Sequence, residues 1–377
     1  MVEFSSARRI RMGLVGGGPG AFIGPVHAMA AQLDGRIDLV AGAFSRDPAR
    51  NAEAAQGYGV APDRAYASVE AMVAAEAARE DGIDFLTVAT PNAHHLPAAR
   101  AAIESGIAVM SDKPMTATLE EAREIVALLA DKPVPFGLTY TYSGYPLVRE
   151  MRARIAAGAI GKVHKLVVEY NQGWLAGAAE GQQAEWRMDP KRAGLGGCIA
   201  DIGVHAFQLA EFVSGHRVSR INADLGSVVD GRVLDDDCQM FLRFDNGARG
   251  LLMASQVMTG EGNDLALRIY GETGAFRWSQ ENPNRFEWLK GDGGMEVVRA
   301  ADPTLGPVAL RGTRLPGGHP EGLLESLANL YGEFAMTLRG EPGSLVPDAN
   351  EGLRGMALIE RAVAASREQS GWVDFIV

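Results

Sequence analysis

Asp201 and His205 stand four residues apart, just ahead of the apolar run 207–213. On a helix such a pair shares one face, so the carboxylate can hold the imidazole, or both can reach one ligand. A histidine near its ordinary pKa of about 6.5 takes or gives a proton at neutral pH. Lys113, in Ser111-Asp112-Lys113-Pro114, adds a cation. Each feature also has an ordinary use: a lysine in a loop is most often a solvated charge, and an Asp/His pair can be a structural hydrogen bond or half a metal site. No third and fourth ligand at metal spacing accompanies the pair, so no metal is expected.

A third cluster points to a phosphate. Gly16-Gly17-Gly18-Pro19-Gly20-Ala21 follows a strand-like run at 10–15, and a helical pattern resumes at about 25–33. Glycine lets backbone turn tightly and approach a pyrophosphate, whose charge is stabilised by the N-terminus of the next helix. Gly16, Gly18 and Ala21 fit the form G-x-G-x-x-A, with Gly24 three residues further on, as if the loop carried a short insertion. The acidic residue that binds an adenosine ribose belongs at the end of the second strand. That place holds Ser45, then Arg46, with Arg50 one turn later. A missing carboxylate beside guanidinium groups favours a 2'-phosphate, hence NADP slightly over NAD. Asp47, before Pro48, is read as a helix cap.

Elements that place these groups follow from periodicity. Apolar runs at 10–15, 37–44, 83–89, 107–110 and 134–141 alternate with helical stretches, the pattern of about six β/α units in a doubly wound parallel sheet. Thr90-Pro91-Asn92 and Asp112-Lys113-Pro114 both follow strands, at the carboxyl ends where open α/β sheets bind ligands. After residue 140 the rhythm changes. Strand-like runs at 163–170, 217–225, 238–244, 248–258 and 265–270 read as an open, largely antiparallel mixed sheet in an α+β domain. Residues 291–322 read as loop, and helices at about 322–338 and 350–369 finish the chain. The division expected is 1–140, a dinucleotide-binding domain, and 141–377, a substrate-binding and oligomerisation domain whose terminal helices pack back on the first.

Composition narrows the class. The chain has 377 residues, 47% apolar and 22% charged, as expected of a globular protein. A net charge of -11 disfavours nucleic acid and anionic membranes as partners. Two cysteines are too few for a disulfide framework, which fits a cytoplasmic setting. The uncharged stretch 13–33 after Arg8, Arg9 and Arg11 imitates an export signal, but its glycines and prolines would break a signal helix.

Taken as an ordered set, the glycine loop, Thr90-Pro91-Asn92 with His94 and His95 behind it, Asp112-Lys113-Pro114, and the lead Gly194-Leu195-Gly196-Gly197 into Asp201 and His205 resemble the glucose-fructose oxidoreductase / inositol dehydrogenase / rhizopine catabolism (Gfo/Idh/MocA) family. Asp112 stands where a glutamate is commoner. The resemblance implies a Rossmann domain, a C-terminal mixed sheet that often forms an oligomer interface, and NAD(P)-dependent chemistry on sugars, polyols and related cyclic hydroxy compounds. It places Lys113, Asp201 and His205 at catalytic positions. For alcohol oxidation the expected roles are His205 as general base, Asp201 as its orienter or the ligand of a neighbouring hydroxyl, and Lys113 as the stabiliser of the alkoxide. Expected cofactor contacts are Gly16, Gly18, Pro19, Gly20, Ala21, Ser45, Arg46, Arg50, Thr90, Pro91, Asn92, His95 and Lys113. Tyr142, Trp174, Trp186, Arg187 and His319 are candidate sugar contacts, since aromatic faces with polar edges suit sugar rings. A homo-oligomer, dimer or tetramer, is expected. Two other readings share the fold: a cofactor-assisted glycoside hydrolase or lyase, and a nucleotide-sensing regulator.

Overall fold

The computed structural model describes residues 8–177 and 187–377. The chain forms two compact units, Met1–Thr141 with Leu327–Met356, and Tyr142–Ser326 with Ala357–Val377. Among the described residues no helix is long and apolar enough to cross a membrane.

In the first unit, β1 (Ile10–Gly16), β2 (Ile37–Ala43), β3 (Phe85–Ala89), β4 (Ala108–Ser111) and β5 (Phe136–Leu138) form a parallel sheet in the order β2-β1-β3-β4-β5. There are five strands, where the rhythm of the sequence suggested about six units. β5 is also shorter than the run 134–141, because Pro133 and Pro135 carry no N–H for a ladder. β3 and β4 are buried at every position, as strands covered on both faces must be. The strand order reverses beside β1, which places the ligand crevice of such a sheet at the carboxyl ends of β1 and β3.

Caps set the helices between them. These are α1 (Ile23–Gln32), α2 (Pro48–Tyr58), α3 (Val69–Ala77), α4 (His95–Glu104) and α5 (Leu119–Asp131). Asp47 accepts from Arg50 N at 3.0 Å and caps α2, which ends at the left-handed Gly59. Thr118 and Glu121 exchange hydrogen bonds in a full capping box at α5.

Backbone packs on backbone where α1 begins. Gly16 has φ +91°, and a Cβ there would lie 2.3 Å from the Ala89 carbonyl oxygen. A Cβ on Gly24 would lie 2.3 Å from Gly17 Cα. The small residue that lets helix meet loop is therefore Gly24 and not Ala21, whose N–H closes a turn onto the Gly18 carbonyl at 3.0 Å. Tyr58 donates to the Gly17 carbonyl at 2.7 Å, and burial pushes its hydroxyl up to about 12, so it remains a donor.

In the second unit, nine strands run in the order β13-β12-β11-β10-β6-β9-β8-β7-β14. They are β6 (Val163–Asn171), β7 (Val218–Gly226), β8 (Asp237–Phe244), β9 (Arg249–Ser255), β10 (Asp264–Gly271), β11 (Gly274–Ser279), β12 (Arg285–Lys290), β13 (Met295–Arg299) and β14 (Val373–Asp374). Every pairing is antiparallel except β6 with β9. β8 alternates Cys238, Met240, Leu242 and Phe244 inward with polar or exposed residues outward, the signature of a sheet packed on one face. α6 (Pro146–Ala156) and α7 (Val204–Ser214) pack against each other, and α7, buried at all its positions, lies on β6. The stretch 291–322, expected to be loop, contains β13 and the helical turn Pro307–Arg311. The last long helices are α8 (Leu323–Leu338) and α9 (Ala349–Arg367), each divided between the two units.

The glycine contact yields a test. Gly24→Ala is expected to lower stability by about 1–3 kcal/mol, because the atom it meets is backbone and cannot swing away. Gly57→Ala, a helical site with open space around it, is expected to be neutral or stabilising by up to about 1 kcal/mol. Urea midpoints for the two variants decide: equal shifts would show that α1 does not depend on the Gly17 contact.

Candidate active site

The first unit brings most of its predicted residues to one end of the sheet. Gly18 sits where a Cβ would be 2.7 Å from the Phe44 carbonyl oxygen and 3.4 Å from Ser45 Cβ, so the end of β2 lies beside the glycine loop. Arg50 donates to the Pro19 carbonyl at 2.5 Å, Arg46 is exposed, and the Asp47 carboxylate is spent on its cap. α1 starts at Phe22 with no side-chain cap and no acidic residue in its first turn. Thr90 Oγ1 is buried with no hydrogen-bond partner, and its methyl group would be 3.2 Å from a Cβ on Gly16. A cradle that only glycine permits, an uncapped helix start and an orphaned hydroxyl fit a dinucleotide pyrophosphate.

His95, expected as a cofactor contact, lies behind the two loops at the sheet's carboxyl end. It is fully buried, with Nδ1 2.9 Å from the Pro114 carbonyl oxygen and Nε2 2.8 Å from that of Thr90. The ring thus sits between the carbonyl of the loop after β3 and that of the loop after β4 and bridges the two loops. Asn92, in the turn Asn92–His94, is also buried. Lys113 is half-buried and joined to Pro114 by a cis bond. Beside it, Asp112 Oδ1 accepts from Thr139 Oγ1 at 2.8 Å. Burial pushes the Asp112 carboxyl up, but His27, Lys113 and His95 around it outweigh burial and hold the group below the usual carboxylate range.

The second unit carries the Asp/His pair. Asp201 lies in a π-helical turn, Ile199–Gly203, that runs directly into α7; such turns re-aim side chains and recur at functional sites. His205 is buried, its ring edge-on to Tyr142 at 4.9 Å and 84° and tilted to Tyr170 at 6.2 Å. From there a chain of neutral polar groups leads to Asp201. The Tyr142 and Tyr170 hydroxyls are bonded to each other. The Asn263 amide donates to Tyr142 Oη at 3.0 Å and accepts from Tyr170 Oη at 2.7 Å. Gln172 donates to Asn263 Oδ1 at 2.7 Å and accepts from Trp174 Nε1 at 2.8 Å. Gln256 donates to Gln172 Oε1 at 3.3 Å and to Asp201 Oδ2 at 2.9 Å, and Arg187 Nε donates to the same Asp201 oxygen at 3.3 Å. Burial raises both tyrosine hydroxyls above their ordinary range, Tyr170 strongly, so at neutral pH they orient protons and do not serve as bases.

Tyr142, Trp174 and Arg187 therefore belong to one cluster with Asp201 and His205. Trp186 lies outside the described residues. His319 is exposed, with Nδ1 3.1 Å from the Pro316 carbonyl oxygen, the surface-turn use of a histidine in a glycine- and proline-rich segment. Tyr170, Gln172, Gln256 and Asn263 were not singled out by the sequence; their only mark is polarity at the ends of apolar strands.

One acidic residue holds the segment that carries the pair. Asp235 accepts from Gly197 N at 2.7 Å and Ile199 N at 2.8 Å through its carboxylate, and from Cys198 N at 2.8 Å through its own carbonyl. A Cβ on Gly197 would be 2.2 Å from that carbonyl oxygen, which explains the glycine.

Comparison with known proteins agrees with this geometry. Residues 10–140 match the model described as "Oxidoreductase family, NAD-binding Rossmann fold", and residues 148–277 match the GFO/IDH/MocA C-terminal domain. An uncharacterized oxidoreductase of Bacillus subtilis is 32% identical over 98% of this chain and 98% of its own. The levoglucosan dehydrogenase of Pseudarthrobacter phenanthrenivorans is 26% identical over 97% and 98%. The inositol dehydrogenase homolog of Azotobacter vinelandii complexed with NAD+ superposes with a TM-score of 0.93 at 35% identity, covering 98% of each chain; it is also solved with NADH and myo-inositol.

Asp235 supplies a pH test. Burial pushes its carboxyl up to about 6, against the two backbone donors, with Asp236 adding to the rise. The folded state then binds this proton more tightly than the unfolded one, so the Asp235 contribution to stability falls as pH rises from about 4 to about 6 and is flat above. The stability of the wild type minus that of Asp235→Asn should fall by up to about 3 kcal/mol across that window. A difference that stays constant with pH would reject the assignment.

Proposed function

The chain belongs to the Gfo/Idh/MocA oxidoreductase family, and from that premise we propose how its residues divide the work. It transfers a hydride between a nicotinamide dinucleotide and a secondary alcohol or ketone of a sugar, polyol or related cyclic hydroxy compound. A nicotinamide, when bound, supplies acceptance or return of the hydride. The residues of this chain supply the rest. His205 takes the hydroxyl proton on oxidation and returns it on reduction. Lys113 stabilises the negative charge that develops on the same oxygen. Asp201, restrained by Arg187 and Gln256, orients the imidazole or binds a neighbouring hydroxyl. The observation that carries this reading is the cluster around Asp201 and His205: amides, phenols and an indole N–H, groups that exchange hydrogen bonds with hydroxyls.

The finer statements are also proposals. NADP is preferred over NAD, supported by Ser45 beside Gly18, by the exposed Arg46 and Arg50, and by the use of Asp47 as a cap. The enzyme is a cytoplasmic homo-oligomer, dimer or tetramer, that binds neither nucleic acid nor membrane; the two free, buried cysteines and the acidic composition support this.

The test is a cofactor-reduction screen over sugars, inositols and anhydrosugars, run with NAD+ and NADP+ separately. Turnover is expected to form reduced cofactor stoichiometrically, and product without it would point to hydrolysis or elimination instead. Lys113→Ala and His205→Ala should each lower kcat by about tenfold or more, and losses within about threefold would remove them from the chemistry. A wild-type preference for NAD+ above about tenfold, or 1.4 kcal/mol, would overturn the cofactor assignment.

A further inference from the structure

His27 has no part in the chemistry above, yet it is fully buried beside the catalytic loop. It lies in the middle of α1, the helix that the glycine loop feeds. Its Nδ1 is 2.8 Å from Tyr331 Oη, and its ring meets that tyrosine edge-on at 5.9 Å and 85°. Tyr331 Oη is in turn 3.3 Å from Thr87 Oγ1 on β3. Burial raises the Tyr331 hydroxyl far above its ordinary range, so it keeps its proton and can donate it to Nδ1. Nε2 is buried with no hydrogen-bond partner and faces Asp112, whose Oδ1 is 3.8 Å away, so the two groups interact through space and not through a direct hydrogen bond. The same Asp112 oxygen takes the Thr139 hydroxyl, and the Asp112 N–H donates to the Val88 carbonyl at 2.8 Å.

A carboxylate in such a place needs compensation, because burying an unpaired charge costs several kcal/mol. Part of that compensation comes from His27 on α1, beside Thr139 and Lys113, and the residue it restrains precedes Lys113. We infer that His27 is a positioning residue for Lys113, acting through Asp112: it fixes the Asp112 carboxylate, and with it the Asp112-Lys113-Pro114 turn, relative to the helix that begins at the dinucleotide loop. The inference rests on the reading of Lys113 as catalytic. Its consequence is kinetic, because displacement of a reacting group by about 1 Å costs on the order of a hundredfold in rate.

The experiment is a double-mutant cycle on the full-length enzyme with His27→Phe, Asp112→Asn and the double variant, with Lys113→Met alongside. Each uses the polyol or sugar of highest kcat/KM from the screen, at saturating cofactor. His27→Phe and Asp112→Asn should each lower kcat about ten- to a hundredfold, with KM and NADPH dissociation constants within about threefold. The double variant should be no worse than the poorer single, because both remove one coupled element. His27→Gln, which keeps an N–H on the side chain, should recover part of the loss. Losses that multiply in the double variant, or a wild-type kcat in His27→Phe, overturn the proposal.

A second readout needs no substrate. After reductive 13C-methylation, the Lys113 resonance, identified by its loss in Lys113→Met, should shift alike in the three His27 and Asp112 variants. An unmoved resonance, or a His27→Phe variant whose only change is a lower melting temperature, assigns His27 to packing. If Lys113→Met itself retains turnover, the reading of Lys113 fails instead, and the two failures are distinguishable.

Discussion

Gly24 and Gly17 meet backbone to backbone, and much of the first unit is arranged around that contact. A helix can approach a loop this closely only if neither carries a Cβ. The approach leaves the N–H groups at the start of α1 beside the turn Gly18 to Ala21, where an anion is stabilised, and it sets the rotation of the helix that carries His27. Tyr58 holds the Gly17 carbonyl from α2, and the Ala89 carbonyl blocks Gly16 from the side of β3. The loop is thereby fixed by three elements before any ligand arrives, which lowers the ordering cost of binding.

The second unit solves a different problem, that of burying polarity without charge. Tyr142, Tyr170, Asn263, Gln172 and Gln256 satisfy one another in a chain whose donors and acceptors alternate. Inside a protein such a chain is favourable only when its members are paired, and it is then stiff. At its end stands the ion pair of Asp201 with Arg187. The rings of Tyr142 and Tyr170 pack around the His205 imidazole.

How far the sequence reveals this depends on how local each signal is. Glycine clusters, caps such as Asp47 and Thr118, and short motifs after strands are read from neighbouring residues, and the five parallel strands and the Asp201/His205 segment are legible for that reason. Gly24 is visible, but its role is not, because the contact that explains it is with a residue seven positions back in a turn of irregular length. His95 is visible behind Thr90-Pro91-Asn92, but the two carbonyls on either side of its ring are not. β13 is short and follows the turn Gly291-Asp292-Gly293-Gly294, so its surroundings read as loop. The amides Gln172, Gln256 and Asn263 carry no motif at all; the register of β6 with β9 and β10 puts them together.

That register also sets how far apart in the chain the supports of the site lie. Among the described residues β6 and β9 are the parallel neighbours of their sheet, and the Gln172–Gln256 hydrogen bond just beyond their ends spans 84 residues of chain. The antiparallel partner of β6 on its other side, β10, is as distant, with 93 residues between Tyr170 and Asn263. Neighbours such as β7 and β8 join through a short connection, whereas both partners of β6 are reached only by closing long loops, at an entropic cost that grows with loop length. The polar chain under Asp201 is thus built largely from non-local contacts, and it raises the contact order of the second unit.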